Sequence, residues 1–348
     1  MQMTFRWYGE SDSIPLSCIA EIPAVRGVVT AVYGVPVGEV WPRGRIAALK
    51  TAAARAGLAM EVIESVPVHE DIKLGRPTRD RYMENYAENI RRLGEAGVRC
   101  ICYNFMPVFD WLRTDLHCPA PDGSNSLSYR HETLMALDPA HLSLPGWDES
   151  YRPEELAALL DAYRGMTHAQ LFDHLVYFLR GILPACREAG VNMAIHPDDP
   201  PWDMFGLPRI LSTEADIDRL FAALPDGHNG LTFCTGSLGA GRENDLLRMA
   251  EKYARAGRIP FAHLRQITYA GERDFTESGH MTDRGSLDIG GIVAALVRGG
   301  FDGYVRPDHG RNIWGEDGKP GYGLYDRALG AAYLAGLFEA TERKANQA

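Results

Sequence analysis

The sequence predicts an α/β protein built as a (β/α)8 barrel. Eight short apolar runs alternate with helical patterns along the 348 residues, which indicates βαβ units and a parallel sheet. Most runs are apolar on both faces, as strands buried on both sides of a sheet are. An open dinucleotide-binding sheet would carry G-x-G-x-x-G after its first strand, but "WYGESDS" stands there. We therefore favour the barrel over an open sheet.

The predicted strands are rich in β-branched and aromatic residues and are bounded by Gly, Pro or Asn. They lie at 4–9, 27–33, 60–65, 98–105, 191–196, 230–234, 259–265 and 302–307.

Helical patterns separate these strands. Thr78 is a candidate N-cap, and Gly57 and Gly97 are candidate helix ends. The stretch "STEADIDRL" places acidic residues in a first turn, where they favour the positive end of the helix dipole. The patterns span 43–57, 78–97, 167–190, 212–225, 242–257, 288–300 and 325–341.

One stretch interrupts this alternation. Residues 106–165, after the fourth strand, are rich in Pro, Asp and Ser and carry no predicted strand. Loops of this length in compact domains usually serve a function, so we expect a lid over the site or an oligomer contact. No linker-like segment divides the chain, and residues 1–348 are predicted to form a single domain.

The composition excludes several classes of protein. The formal net charge of −10 argues against a nucleic-acid-binding surface, which needs a basic patch. The six cysteines are dispersed, unlike those of a disulfide-rich secreted domain. The start "MQMTFRWYGE" lacks the regions of a signal peptide, and no apolar run approaches the ~20 residues of a membrane helix. We expect a cytoplasmic protein with free thiols and no membrane partner.

Four successive predicted strands deliver a metal-binding side chain. The fifth ends at His196, the sixth at Cys234 and the seventh near His263, and Asp308 follows the eighth. The carboxyl ends of the strands form the active site of such a barrel, so these groups are expected to meet. Each alone has a structural explanation, such as packing for a cysteine. Together they favour a site for Fe(II), Zn or Mn.

Other residues near the strand ends are candidates for substrate binding and proton transfer. Arg265 lies two residues after His263, hence on the same strand face, and can bind a carboxylate through two hydrogen bonds. His309 is an acid–base group suited to neutral pH. The remaining candidates are Trp7, Asp198, Asp199, Arg311, Tyr322 and Tyr325.

Several of these residues also have structural interpretations. Asp198 and Asp199 either orient metal ligands or form a polar turn among prolines. Trp7 either contacts substrate or packs in the barrel, and Tyr325 stands at a helix start, where packing explains it. The glycines after Cys234 lack the G-K-[ST] of a phosphate-binding loop, so we predict a tight strand-to-helix turn there.

The chain resembles the mannonate dehydratase family of the xylose-isomerase-like barrel superfamily. Six segments carry this resemblance, in the family's order: "FRWYG", "IHPDDPPW", "FCTGSLG", "HLRQI", "RPDHGRNIW" and "GYGLYDRALG". It implies that D-mannonate loses water to give 2-keto-3-deoxy-D-gluconate, a step of hexuronate (glucuronate) catabolism, with Mn²⁺ or Fe²⁺. It also implies a homodimer or a larger homo-oligomer such as a tetramer.

The resemblance also implies roles for particular residues. The metal ligands would be His196, Cys234, His263 and Asp308, and the acid–base groups His309 and Tyr322, with Asp308 counted among the catalytic residues as well. Substrate contacts are predicted for Arg265, Trp7, Arg311, Asp198 and Tyr325.

The chemistry of the reaction agrees with this set. The C2 proton of an aldonate is weakly acidic, and a metal bound to the carboxylate and the C2 hydroxyl stabilises the enediolate. A general acid then protonates the leaving C3 hydroxyl. We expect His309 and Tyr322 to share the two proton transfers, in an order that the sequence leaves open.

Three alternative functions fit the sequence less well. A sugar isomerase or epimerase on the same barrel usually pairs two strand-end glutamates across its metal, whereas His, Cys, His and Asp stand here. The acidic net charge disfavours a metal-dependent phosphodiesterase or nuclease. A metal-storage protein would not need Arg265, His309 and Tyr322 beside the ligands.

Overall fold

Eight parallel strands close into a barrel in the computed structural model, which describes residues 1–139, 152–316, 318–345 and 347. The barrel strands are β1 (Gln2–Arg6), β2 (Gly27–Thr30), β3 (Ala59–Glu64), β4 (Cys100–Tyr103), β7 (Asn192–Ile195), β8 (Asn229–Cys234), β9 (Phe261–Leu264) and β12 (Tyr304–Pro307). Their order around the barrel is β1-β12-β9-β8-β7-β4-β3-β2. Each predicted strand contains or overlaps one of them, so the predicted (β/α)8 barrel is confirmed.

The helices follow the strands, and every predicted helical pattern contains or overlaps one. They are α1 (Leu16–Ala20), α2 (Arg43–Arg55), α3 (Glu70–Lys73), α4 (Arg79–Glu95), α5 (His131–Met135), α6 (Pro153–Ala162), α7 (His168–Ala189), α8 (Glu214–Ala223), α9 (Thr235–Ala240), α10 (Leu246–Arg255), α11 (Ile289–Arg298) and α12 (Tyr325–Ala345). No helix among the described residues is long and apolar enough to cross a membrane.

Local hydrogen bonds determine where several helices begin. Thr213 caps α8, since its side chain accepts from the backbone N–H of Asp216. Thr78 precedes α4 as predicted, but its hydroxyl donates to Asp71 and makes no cap bond. The predicted tight turn after Cys234 is instead the short helix α9.

The apolar core has two parts. The larger part lies between the barrel strands and the surrounding helices. The smaller part comes from the neighbouring strands β2, β3, β4 and β7, together with β9. Such a cluster is expected where side chains fill the inside of a barrel. Its members are Val29, Val62, Cys100, Cys102, Ala194 and Phe261.

The segment 106–165 contains two strands, which corrects the prediction that it has none. β5 (Asp115–Pro119) and β6 (Asn125–Tyr129) pair antiparallel. They join β10 (Gln266–Tyr269) and β11 (Phe275–Ser278) in a second sheet of order β10-β11-β6-β5. We call this the small sheet. Residues 140–151 of the segment lie outside the described residues, and its role as a lid or an oligomer contact stays a prediction.

Candidate active site

Three of the predicted metal ligands lie together at the carboxyl ends of neighbouring strands. One ligand atom each from His196, Cys234 and His263 lies within 4.8 Å of the other two. Cys234 and His263 are direct register partners on β8 and β9, and His196 follows β7. The parallel register therefore brings these side chains to one height, as the strand pattern predicts.

The orientation of His196 suits a metal ligand. Its Nδ1 lies 2.7 Å from the carbonyl oxygen of Pro197, which can only accept a hydrogen bond. A proton on Nδ1 leaves Nε2 free to bind a metal, a common arrangement in metal sites.

Asp308 stands at the edge of this group. Its carboxylate lies 3.7 Å from the Cys234 sulfur and 4.0 Å from Nδ1 of His263. Two buried guanidinium groups approach it, Arg306 at 2.9 Å and Arg265 at 3.3 Å. The donor set of two imidazoles, a thiol and a carboxylate fits a divalent transition metal.

Charge favours the thiolate form of Cys234. Burial opposes ionisation, but Arg265 and His196 outweigh it and lower the pKa of the thiol. Burial lowers the pKa of His196, and the thiolate raises it above its ordinary value. The Ser237 hydroxyl donates to the sulfur over 3.1 Å. Cys234 is thus prepared to be an anionic ligand, the form that binds metals.

A second group of metal-binding side chains is less suited to a cation. Ligand atoms of Glu64, Cys102 and His263 also lie within 4.8 Å of one another. Arg306 lies 3.1 Å from the Glu64 carboxylate, and burial raises the pKa of Cys102 well above its ordinary value. A neutral thiol beside a guanidinium group disfavours metal binding here.

The predicted acid–base pair is assembled. Nε2 of His309 lies 2.9 Å from the Tyr322 hydroxyl, and both side chains are buried. Burial raises the pKa of Tyr322 well above its ordinary value. The ring of Tyr8 packs edge-on against Tyr322 with centroids 5.0 Å apart. On its other side, Nδ1 of His309 lies 2.9 and 3.0 Å from the two oxygens of Glu277.

A buried network of charges connects this pair to the strand ends. Arg113 binds both oxygens of Asp199, at 2.9 and 3.0 Å, and Glu277 at 2.6 Å. Arg265 binds the same Asp199 at 2.8 Å. Burial would raise the pKa of Asp199, but the two guanidinium groups hold it below its usual range. Asp199 is therefore a charged partner of the arginines rather than only a turn residue.

The other predicted substrate contacts have partners elsewhere. Asp198 accepts from the backbone N–H of Leu211 over 2.7 Å, and Tyr325 is exposed beside Trp314. Arg311 binds Asp122 and Asp326. Trp7 lines a surface cavity with residues of the segment 9–16 and Ala52 of α2. Roles for these four side chains in substrate binding stay predictions.

Several charged residues of the site were not singled out from the sequence. Arg306 lies two residues before Asp308 on one strand face, and Glu64 ends β3, so the strand-end rule could have found both. Arg113 and Glu277 stand on or beside the small sheet, and no local pattern marks them. Their pairing joins residues that lie 164 positions apart in the chain.

The glycine stretch after Cys234 leaves space for the side chain of Arg265. A Cβ atom at Gly236 would lie 1.7 Å from Nε of Arg265, far inside van der Waals contact. Only glycine lets the guanidinium group pass this turn of α9 and reach the Cys234 environment.

An eight-stranded parallel barrel with ionisable groups at the carboxyl ends of its strands defines an enzyme of the (β/α)8-barrel class. The family model for D-mannonate dehydratase (UxuA) matches residues 1–348. This chain belongs to the mannonate dehydratase family, whose members are hydro-lyases.

Individual relatives with high sequence identity are also named mannonate dehydratases. Mannonate dehydratase 2 of Halalkalibacterium halodurans is 51% identical over 342 residues, 98% of this chain and 99% of the relative. Mannonate dehydratase of Thermotoga maritima is 50% identical over 355 residues, 99% of this chain and 98% of the relative.

Solved structures agree with the sequence comparisons. The mannonate dehydratase of Streptococcus suis serotype 2 is similar with a TM-score of 0.92 at 47% identity, covering 99% of this chain and 95% of that one. An L-ribulose 3-epimerase reaches a TM-score of 0.56 at 14% identity, which shows a shared fold alone. The epimerase alternative is therefore not favoured.

Proposed function

We propose that this protein is a metal-dependent hydro-lyase that converts D-mannonate to 2-keto-3-deoxy-D-gluconate and water. The observation that carries the proposal is the juxtaposition of the His196–Cys234–His263 group with the buried pair His309 and Tyr322. Relatives at about half identity over nearly the full chain, all named mannonate dehydratases, support the choice of substrate.

Four residues would hold the metal: His196, Cys234, His263 and Asp308. Their mixture of imidazole, thiolate and carboxylate favours Mn²⁺ or Fe²⁺ over Mg²⁺ or Ca²⁺. When bound, such an ion supplies Lewis-acid stabilisation of the negative charge that develops on the substrate carboxylate and C2 oxygen. Arg306 and Arg265 hold the Asp308 carboxylate ionised, since they lower its pKa well below the usual range despite its burial.

The proton transfers belong to His309 and Tyr322. The reaction breaks the C2–H bond, releases the C3 hydroxyl as water and leaves an enol that relaxes to the 2-keto acid. One proton must be taken from C2 and one given to the leaving hydroxyl. Two buried groups whose polar atoms are 2.9 Å apart can exchange these protons away from bulk water.

The anionic substrate enters an acidic protein, so local cations have to attract it. Arg265 and Arg306 lie beside the proposed ligands and are both buried, where their charge is little screened. We propose that they set the substrate position together with Trp7, Asp198, Arg311 and Tyr325.

The proposal extends to the cellular location, the domain organisation and the oligomeric state of the protein. All six cysteines are free, which is typical of proteins of a reducing compartment and supports a cytoplasmic location. We propose one domain over residues 1–348 and a homo-oligomer. Light scattering of the purified protein gives the mass of the assembly.

The direct test is an activity assay. Purified protein is loaded with Mn²⁺ or Fe²⁺ and incubated with D-mannonate, and we expect a 2-keto-3-deoxy acid to form. Folded protein with bound metal that yields no such product would overturn the proposal. D-Fructose and D-tagatose serve as substrates for the epimerase alternative, and we expect no turnover of either.

Replacement of His309 tests its role separately. We expect His309→Asn to lower kcat by about 10²- to 10⁴-fold, because a positioned acid–base group contributes that much. Bound metal, measured by elemental analysis, should be unchanged. His168→Asn, at an exposed histidine that pairs with Asp203, is the matched control and should keep normal turnover. Near-normal turnover by His309→Asn with metal bound would contradict the assignment.

A further inference from the structure

Glu277 contacts the acid–base pair from outside the barrel. It lies on β11 of the small sheet, yet only 2% of its surface is exposed. Its two oxygens lie 2.9 and 3.0 Å from Nδ1 of His309. Burial opposes its charge, but His309, Arg265 and Arg113 lower the pKa of Glu277 to about 2. The group is therefore an ionised carboxylate at neutral pH, and it can only accept hydrogen bonds.

A second group competes for the same nitrogen. Nη1 of Arg265 lies 2.8 Å from Nδ1 of His309 and 3.4 Å from Glu277. A guanidinium group can only donate, so Nδ1 cannot serve both neighbours in the neutral ring. If Nδ1 accepts from Arg265, the lone pairs of a carboxylate face the lone pair of the imidazole at hydrogen-bond distance.

The other contacts of Arg265 decide between these arrangements. Its guanidinium group also reaches Asp199 at 2.8 Å and Asp308 at 3.3 Å, so it has acceptors without His309. An unprotonated Nδ1 would leave the close contact with Glu277 repulsive. The favoured arrangement therefore has the proton on Nδ1, donated to Glu277.

We propose that Glu277 is a positioning residue that holds the proton of His309 on Nδ1 and turns the unprotonated Nε2 toward Tyr322. Nε2 then accepts from the Tyr322 hydroxyl and is the ring nitrogen able to take up a proton. The inference rests on the proposed function, because it gives His309 its role in the reaction.

Arg113 completes the arrangement. Its side chain is fully buried and binds Glu277 through Nη2 at 2.6 Å and through Nε at 2.9 Å. The segment 106–165 thus supplies the group that keeps the positioning carboxylate in place. A reaction centre on the barrel depends in this way on two residues contributed by the small sheet and the chain leading into it.

Nitrogen NMR tests the tautomer without any assay of activity. The protein carries ¹⁵N-labelled histidine and Zn²⁺, which is diamagnetic, and spectra are recorded at mildly alkaline pH. The His309 signals are assigned by their loss in His309→Asn. We expect the proton on Nδ1. A proton on Nε2 alone would overturn the proposal, whatever the enzyme does with D-mannonate.

A substitution tests the consequence for catalysis. In Glu277→Gln, Arg113 and Arg265 compete for the single amide oxygen, so the amide NH₂ faces His309 and drives the proton to Nε2. We expect kcat to fall about 10- to 100-fold and KM to change by no more than about twofold. Glu272→Gln, at the exposed turn of the same hairpin, is the matched control and should behave as wild type. An unchanged tautomer together with unchanged kcat in Glu277→Gln would overturn the proposal.

Glu277→Asp covers the case in which Glu277→Gln does not fold. The shorter side chain keeps the charge that Arg113 and Arg265 require, and we expect a kcat between those of wild type and Glu277→Gln with the proton still on Nδ1. Wild-type kcat in a Glu277→Asp protein whose proton has moved to Nε2 would contradict the proposal. Absence of turnover in wild type would contradict the proposed function instead, and the NMR result would still stand.

Discussion

Cys234 differs from the other buried cysteines in its neighbours rather than in its burial. Cys100 and Cys102 are as deeply buried on β4, and burial raises the pKa of both thiols. Cys234 instead faces Arg265 and His196, which lower its pKa. A thiol that only fills space gains nothing from these cations. The charge around Cys234 therefore favours a metal ligand over packing.

We expect Cys234→Ser to bind metal at least about tenfold more weakly and to lose activity, because a hydroxyl is a poor replacement for a thiolate. Mutation of groups that only hydrogen-bond to a metal ligand already lowers metal affinity or activity by about 10- to 100-fold. The circular dichroism spectrum should stay that of wild type. Metal content after dialysis is the measurement.

Cys100→Ser is the matched control for that substitution. It buries a hydroxyl at an equally inaccessible position, which costs about 1–3 kcal/mol of stability, but it should retain metal. Equal metal contents in the two variants would return Cys234 to the role of a packing residue.

At the scale of elements, the small sheet fixes charged side chains from two distant parts of the chain. β6 and β11 pair with Tyr129 opposite Phe275, and the two rings stack with centroids 5.5 Å apart. Arg113 precedes this sheet, and Glu277 lies within it. The pairing brings both side chains to the carboxyl ends of the barrel strands, where Asp199 joins them.

We expect Arg113→Met to destabilise the protein by about 3–5 kcal/mol, since it leaves the buried carboxylates of Asp199 and Glu277 without their shared partner. Urea denaturation measures the change in the free energy of unfolding. Arg152→Met is the control, because the Arg152 side chain is 78% exposed. The urea midpoint of this variant should stay at the wild-type value. A wild-type midpoint for Arg113→Met as well would mean that the buried pairs contribute nothing to stability.

The sequence predicted the barrel better than the small sheet, for a physical reason. The barrel strands are continuous apolar runs such as "GLTFC", and their period and spacing are local signals. β5 and β6 read "DLHCP" and "NSLSY", short polar stretches with weak alternation. The partner of β6 on β11 follows about 150 residues later. The grouping of His196, Cys234 and His263 is predictable because strand ends converge. The position of Glu277 depends instead on this distant pairing.

At the scale of the whole molecule, the two ends of the chain complete the barrel. β1 pairs with β12, and α12 packs against β12. The buried face of α12 adds Leu334 and Phe338 to the apolar core. Asp326 in the first turn of α12 accepts from the backbone N–H of Arg311 at 2.9 Å and from its guanidinium at 2.8 Å. This carboxylate therefore connects the last helix to the loop that follows β12.

The charge of Asp326 should make the stability of the whole fold depend on pH. Burial raises its pKa, but His280 and Arg311 lower it below the ordinary value of 3.8. The carboxylate therefore stabilises the fold fully above the unfolded pKa, and the contribution is lost as the pH falls toward the folded pKa.

We expect Asp326→Asn to be about 1.5–3 kcal/mol less stable than wild type at about pH 6. The difference should narrow as the pH falls below about 4. Urea denaturation across this pH range measures the difference in the free energy of unfolding. Asp161→Asn, at an exposed aspartate, is the control and should be as stable as wild type at every pH. A difference that stays constant down to about pH 3 would show that the hydrogen-bonding shape of the side chain, and not its charge, holds α12 in place.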